Sequence, residues 1–188
     1  MKSYIVGTLA ILGIGGLLFA AVHFGALGSV SILAGNASVD QGNQVQSNLI
    51  GRQAPFFDLP DVTGNHVKVS DFIDMPLAVV FWSTWNDAAA DQMHILDQYL
   101  ASHVVQAELV KIIAIDSQEE RSIVSSFLRR GGYTVPTLVD SSGATSESYK
   151  IKSLPTTYFI DRSGVIQDAY AGVLNEKMLA EKIERIVQ

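Results

Sequence analysis

The pattern of apolar and polar positions changes period several times along this chain. An apolar run from Tyr4 to Leu27 contains no Asp, Glu, Lys or Arg. At about 1.5 Å of rise per residue, a helix over that run crosses a ~30 Å hydrocarbon layer with some tilt. Residues 35–50, GNASVDQGNQVQSNLI, have no sustained period and are rich in Asn, Gln, Ser and Gly, which predicts a flexible tether. Beyond the tether, strand-like and helix-like stretches alternate.

The first of these are β-type runs at Phe56 to Leu59 and His66 to Val69, joined by the turn signal Thr63-Gly64-Asn65. Leu77 to Trp82, LAVVFW, is continuously apolar, as expected of a strand buried on both faces of a largely parallel sheet. From Asn86 to Ser102, helical spacing puts Ala89, Met93, Leu96, Tyr99 and Leu100 on one face. Asn86 is the candidate cap of this helix. Glu108 to Asp116 reads as a second core strand. Ser117-Gln118-Glu119-Glu120 predicts a capping box for a helix ending near Arg130, with Gly131 and Gly132 as stop signals. A short strand at Thr137 to Val139 and a short helix at Thr145 to Lys150 follow. Thr156 to Ile160 is then a third strong strand, and Asp161 to Gly164 turns it into Val165 to Ala171. A final helix starts at the capping residue Asn175, with Leu179, Ile183, Ile186 and Val187 as its apolar stripe. This order predicts an α/β fold, a three-layer α/β/α sandwich whose central sheet is mixed because the last two strands form a hairpin.

Composition narrows the possible functions. At 188 residues the chain holds one globular domain and a targeting or membrane segment. The net charge is −6, and after Lys2 the next charges are Asp40 and Arg52, so the domain is acidic and lacks the basic footprint of a nucleic-acid binder. With Lys2 the nearby positive charge, the N-terminus is expected inside and the domain outside the cytoplasm. A secretory signal peptide cleaved after Ala37, in Gly35-Asn36-Ala37, is the competing reading, although its apolar region exceeds the usual 7–15 residues. Both readings export the domain. There are no cysteines, which removes disulfide exchange and thiolate catalysis by this chain alone.

Candidate chemistry is sparse. Asp87, Asp91 and His94 fall at i, i+4 and i+7, a spacing that can place ligands on one helix face, but no second cluster completes a metal shell. Ser83-Thr84 lacks a nucleophile elbow, and glycine-rich phosphate loops are absent. Asp116 and Ser117 read as structural, and His66 and His103 as solvated. No cofactor is expected.

Three separated segments carry a resemblance. IGRQAPFFDLPDVTGNHVKVSDF, VVFWSTW and KIKSLPTTYFIDRSGVI occur in order and at fitting spacing. Over roughly Ile50 to Val187 the chain resembles the membrane-anchored thioredoxin-like proteins of the TlpA/ResA type, in the AhpC/TSA-redoxin superfamily. The resemblance implies a thioredoxin-like domain over 50–188, an anchor or signal over 1–34 and a linker over 35–49. It also implies a cis Pro155 facing the site, flanked by Ser153, Leu154 and Thr156. Where the family carries its cysteine pair, this chain has Asn86 and Ala89, with Asp87 and Ala88 between. Those residues keep a helix start and discard thiol exchange.

The sequence therefore points to a redox-inactive, thioredoxin-like domain on the outer (periplasmic) face of a membrane, in a single-pass chain. Such a domain would bind a protein partner, itself membrane-associated, through Trp85, Asn86, Asp87, Leu154, Pro155 and Thr156. Trp82 is expected in the core and Trp85 at the surface. The alternative is an oxidoreductase-related enzyme or redox partner whose thiol comes from a second chain, or whose metal uses Asp91 and His94.

Overall fold

The computed structural model describes residues 48–103 and 109–188. The expected membrane segment and most of the tether lie outside the described residues. Among the described residues no helix is long and apolar enough to cross a membrane.

Strands β1 (Asp58–Pro60) and β2 (His66–Lys68) pair antiparallel. Asp61 closes their turn, its Oδ1 accepting from the backbone N–H groups of Thr63 and Gly64 at 2.7 Å and of Asn65 at 3.0 Å. Together with the Thr63 hydroxyl, these donors hold the Asp61 carboxyl down at about 2. Gly64 sits at φ 102°, a conformation that favours a residue without Cβ.

Strand β3 (Leu77–Trp82) is buried at all its positions, as its unbroken apolar run predicts. Helix α1 (Ala89–Ser102) follows it, then β4 (Lys111–Ser117), α2 (Arg121–Gly131) and β5 (Thr137–Asp140). The short helix α3 (Ala144–Ser148), β6 (Thr156–Ile160), β7 (Ile166–Ala171) and α4 (Glu176–Val187) complete the chain. The five-stranded sheet runs β5-β4-β3-β6-β7. Strand β3 is parallel to β4 and antiparallel to β6, and β6 turns antiparallel into β7, so the sheet is mixed as expected.

Side-chain alternation splits the core into two layers. Ala78, Val80 and Trp82 face α1, α2 and α4 through Met93, Leu96, Val124, Leu128, Leu179 and Ile183. Val79 and Phe81 face the other way, onto Phe57, Leu59, Tyr149, Tyr158 and Ile166. Each large apolar side chain enclosed in this way contributes roughly 1.5–3 kcal/mol relative to exposure.

Several element boundaries differ from the sequence reading. Helix α1 begins at Ala89 rather than Asn86, with Ala88 as its flanking residue. Strand β4 begins at Lys111; Leu109, inside the expected strand, is helical, and Glu108 lies outside the described residues. Helix α2 is preceded by Glu120 in an extended conformation, so Ser117 caps nothing. Ser117 belongs to β4, and its hydroxyl is paired with that of Ser146 at 2.7 Å in the interior. The chain then turns at Gln118, whose φ of 67° ends the strand.

At the far end of α2, the Tyr133 ring lies across Gly131, where an added Cβ would come within 2.0 Å of it. Gly131→Ala must therefore evict the ring from its stack on Phe127, whose centroid is 5.5 Å away. It is expected to lower stability by about 1–3 kcal/mol, read as a reduced midpoint in urea unfolding at unchanged slope.

Candidate functional site

The end of β3 carries Ser83, Thr84, Trp85 and Asn86 out of the sheet toward α1. Glu119, in the loop after β4, grips this segment from the side. Its Oε2 accepts from the Thr84 backbone N–H at 2.5 Å and its Oε1 from the Thr84 hydroxyl at 2.6 Å. Hydrogen bonds to a carboxylate are among the stronger kinds, so the segment is fixed just before it emerges. The next residue, Trp85, is 67% exposed.

Asn86 makes four hydrogen bonds, one of them from its backbone N–H to Ser83 O at 3.2 Å. Its backbone carbonyl accepts from Ala89 N at 2.9 Å and its Oδ1 accepts from Ala88 N, also at 2.9 Å. Its Nδ2 donates to the Leu154 carbonyl at 3.0 Å. Asn86 is thus two residues before the cap position of the helix it was expected to cap, yet its side chain still satisfies an N–H at the approach to the helix. The same amide ties that approach to the loop before β6, across 68 residues of sequence.

The Leu154–Pro155 peptide is cis. Pro155 and Thr156 are buried, Leu154 is half-buried and Asp87 is exposed. Pro155 accepts from Gly172 N at 2.8 Å, and the Thr156 hydroxyl donates to Ser153 O at 2.7 Å. The structure therefore brings the sequence-predicted residues into one neighbourhood but orders them by exposure. Trp85 and Asp87 face solvent, Asn86 and Leu154 form the seam, and Pro155 and Thr156 support it from below. Asp87, Asp91 and His94 form no metal-holding group with a further His, Asp or Glu among the described residues.

Two polar residues that the sequence reading did not place in the site lie beneath it. Asp116 is fully buried at the end of β4, opposite Trp82 in the strand register. Neither of its carboxyl oxygens nor the Trp82 indole N–H has a partner among the described residues. Burial pushes the Asp116 carboxyl up to about 9, and the neighbouring Glu119 carboxylate adds to the effect, so Asp116 is a neutral acid at pH 7. Gln92 is the second such residue. Its Oε1 accepts from Leu174 N at 2.9 Å, which fixes the amide's orientation and leaves Nε2 buried without a partner. Gln92 was detectable in principle, since it falls among Ala89, Met93 and Leu96 on the apolar face of α1.

Chemically, this arrangement offers no nucleophile at the helix start. Position 89 is a buried methyl group and position 86 an amide already committed to its neighbours. What faces outward is an indole ring, an exposed carboxylate and the backbone edge at Leu154, whose N–H is unpaired among the described residues.

Comparison with known proteins places this geometry. The model of the AhpC/TSA family matches residues 50–169. The chain is 27% identical over 134 residues to the thioredoxin-like protein YneN of Bacillus subtilis, covering 71% of this chain and 78% of that one. It is 27% identical over 137 residues to the thiol-disulfide oxidoreductase ResA of Geobacillus kaustophilus, covering 73% and 78%. Among solved structures, a thiol:disulfide interchange protein of the thioredoxin family from Chlorobium tepidum superposes with a TM-score of 0.64 at 16% identity, covering 72% of this chain and 96% of that one. StoA of Bacillus subtilis gives 0.61 at 18% identity, covering 69% and 96%. These structural likenesses establish the thioredoxin-like fold.

Two measurements test the site's energetics. Asn86→Ala removes both side-chain hydrogen bonds and is expected to cost about 1–2 kcal/mol in urea unfolding. Asp116 gives a pH signature. Between its unfolded value near 3.8 and its folded value of about 9, the native state holds a proton that the unfolded chain releases. The stability from this group is thus complete below the lower value and lost progressively as pH rises toward the upper one. Asp116→Asn is expected to flatten the fall in stability between pH 5 and pH 9 and to raise stability at pH 8; an unchanged slope would show that Asp116 ionises normally.

Proposed function

Since the chain belongs to the AhpC/TSA family yet carries no cysteine, we propose that it is a redox-inactive thioredoxin-like domain that binds a protein partner. It is held at the outer face of a membrane through Tyr4 to Leu27 and serves as an accessory subunit of a membrane complex. The observation that carries this reading is the bonding of Asn86. A position that the family resemblance assigns to a thiol is filled by an amide that joins Ala88 to Leu154. The site is closed by hydrogen bonds instead of being left as a vacancy, and a 67% exposed Trp85 projects beside it. Exposed aromatic rings held on rigid elements are the usual anchors of protein interfaces.

Asn86 also bears on how a partner is held. An extended peptide that paired with the backbone at Leu154 would compete with the Asn86 amide for the carbonyl. Contact through Trp85 and Asp87 requires no such exchange. A second reading, a redox partner acting on a thiol supplied by another chain, draws support from Asp116, whose buried neutral acid lies under the site.

Photo-cross-linkable side chains at Trp85 and Asp87, in the full chain in intact membranes, are expected to capture a defined partner. The same probe at Ile123, on the exposed face of α2, is expected to capture none. The purified chain is expected to reduce disulfides no faster than buffer with reductant. Capture from Ile123 with none from Trp85 or Asp87 removes the surface assignment, and turnover above background removes the redox-inactive assignment.

A further inference from the structure

A cavity of about 660 Å³ opens at the end of the sheet opposite Trp85. Lys111, at its rim, pairs in register with Leu77 at the start of β3, whereas the candidate site lies past Trp82 at the other end. The cavity is within the ~300–1,000 Å³ range of small-molecule sites. Val62, Phe72, Ile113, Leu128, Val135 and Leu138 are prominent in its lining, which is largely apolar. Tyr133, seated on Gly131 and stacked on Phe127, forms part of the wall.

The charges on this cavity are unbalanced. Lys111 and Arg129 are exposed lining residues, and neither makes an ion pair among the described residues. Arg129 is oriented by two neutral hydroxyls, donating to Ser125 Oγ at 2.7 Å and Ser126 Oγ at 3.2 Å. The one carboxylate in the lining, Asp61, is engaged by the N–H groups of its own turn. The complementary ligand therefore has a hydrocarbon body and a single anionic head.

We propose that this cavity binds a medium-chain carboxylate amphiphile of the fatty-acid class, with its chain against the apolar lining and its head between Lys111 and Arg129. A cationic head would be repelled by the two cations, and an uncharged one would gain nothing from them. The proposal is independent of the partner-binding reading, since the two sites occupy opposite ends of the sheet.

The domain serves for the test. Both buried clusters lie within residues 48–188, and the Chlorobium structure consists almost wholly of this fold. Decanoate, 1-decanol and decyltrimethylammonium are titrated into residues 48–188 below their aggregation limits and followed by calorimetry and by amide chemical shifts. Decanoate is expected to bind about tenfold more tightly than the alcohol, with shifts at Tyr133 to Leu138. The double variant Lys111→Gln, Arg129→Gln alters exposed side chains only and is expected to abolish that preference while retaining alcohol binding. Equal affinity for the three probes, a preference surviving in the double variant, or shifts confined to the Trp85 end would each overturn the proposal.

Discussion

The enclosure of β3 is the constraint from which the rest of the structure follows. With parallel β4 on one side and antiparallel β6 on the other, each residue from Leu77 to Trp82 is sealed by a core layer on its own side of the sheet. A strand with no wet face cannot slip its register, because a one-residue shift would exchange the two packed layers. The point where the chain leaves the sheet is thereby fixed, and Trp85 and Asn86 emerge at a determined place. Antiparallel pairing with β6 brings that strand's first residues, and so the Leu154–Pro155 loop, to the same end. The site is a consequence of strand direction before any of its side chains is considered.

The side chains then set the local electrostatics, and they do so unevenly. Glu119 is fully used, both oxygens holding Thr84. Asp116, three residues earlier at the end of β4, is sealed from water, so burial first and the neighbouring Glu119 second keep its proton on. Unpartnered buried polar atoms are costly, and Asp116, Trp82 and Gln92 together leave four of them close under the site. A fold optimised only for stability would place apolar atoms there. Their concentration at this end, and not at the cavity end, marks the region beneath Trp85 as one where something other than packing determined the residues.

Much of this was readable from the chain. The unbroken apolar run of β3, the Gly131-Gly132 stop and the Asn175 cap declare themselves through short-range rules, and Asn175 indeed accepts from Met178 N. The turn between β1 and β2 was signalled by Thr63-Gly64-Asn65, while the Asp61 side chain that accepts from their N–H groups was not foreseen. The errors occur where a local signal was outbid by a distant contact. Ser117 resembles a cap, but its hydroxyl is satisfied by Ser146, which is 29 residues away. Asn86 has the right chemistry for a cap, but half of its amide is drawn to Leu154. Asp116 was read as the end of a core strand, which it is, but its raised carboxyl depends on burial and on Glu119, which no local signal announces. Trp85 was placed correctly at the surface, and the clamp from Glu119 was not foreseen because it depends on how the loops after β3 and β4 come together.

The substitution at position 86 has an electrostatic meaning beyond the absence of sulfur. The start of a helix presents unpaired N–H groups and a partial positive charge, an arrangement that favours an anion such as a thiolate. Here the Ala88 N–H is taken by a neutral carbonyl oxygen, and the exposed Asp87 adds a negative charge beside it. Both changes disfavour an incoming anion, so the region no longer holds the charge that thiol exchange would develop. A neutral or cationic group stacked on the Trp85 indole meets no such opposition, since the ring face and the nearby carboxylate both favour positive charge. The residues at the start of α1 therefore disfavour an incoming anion, which supports the binding role proposed above over a redox one.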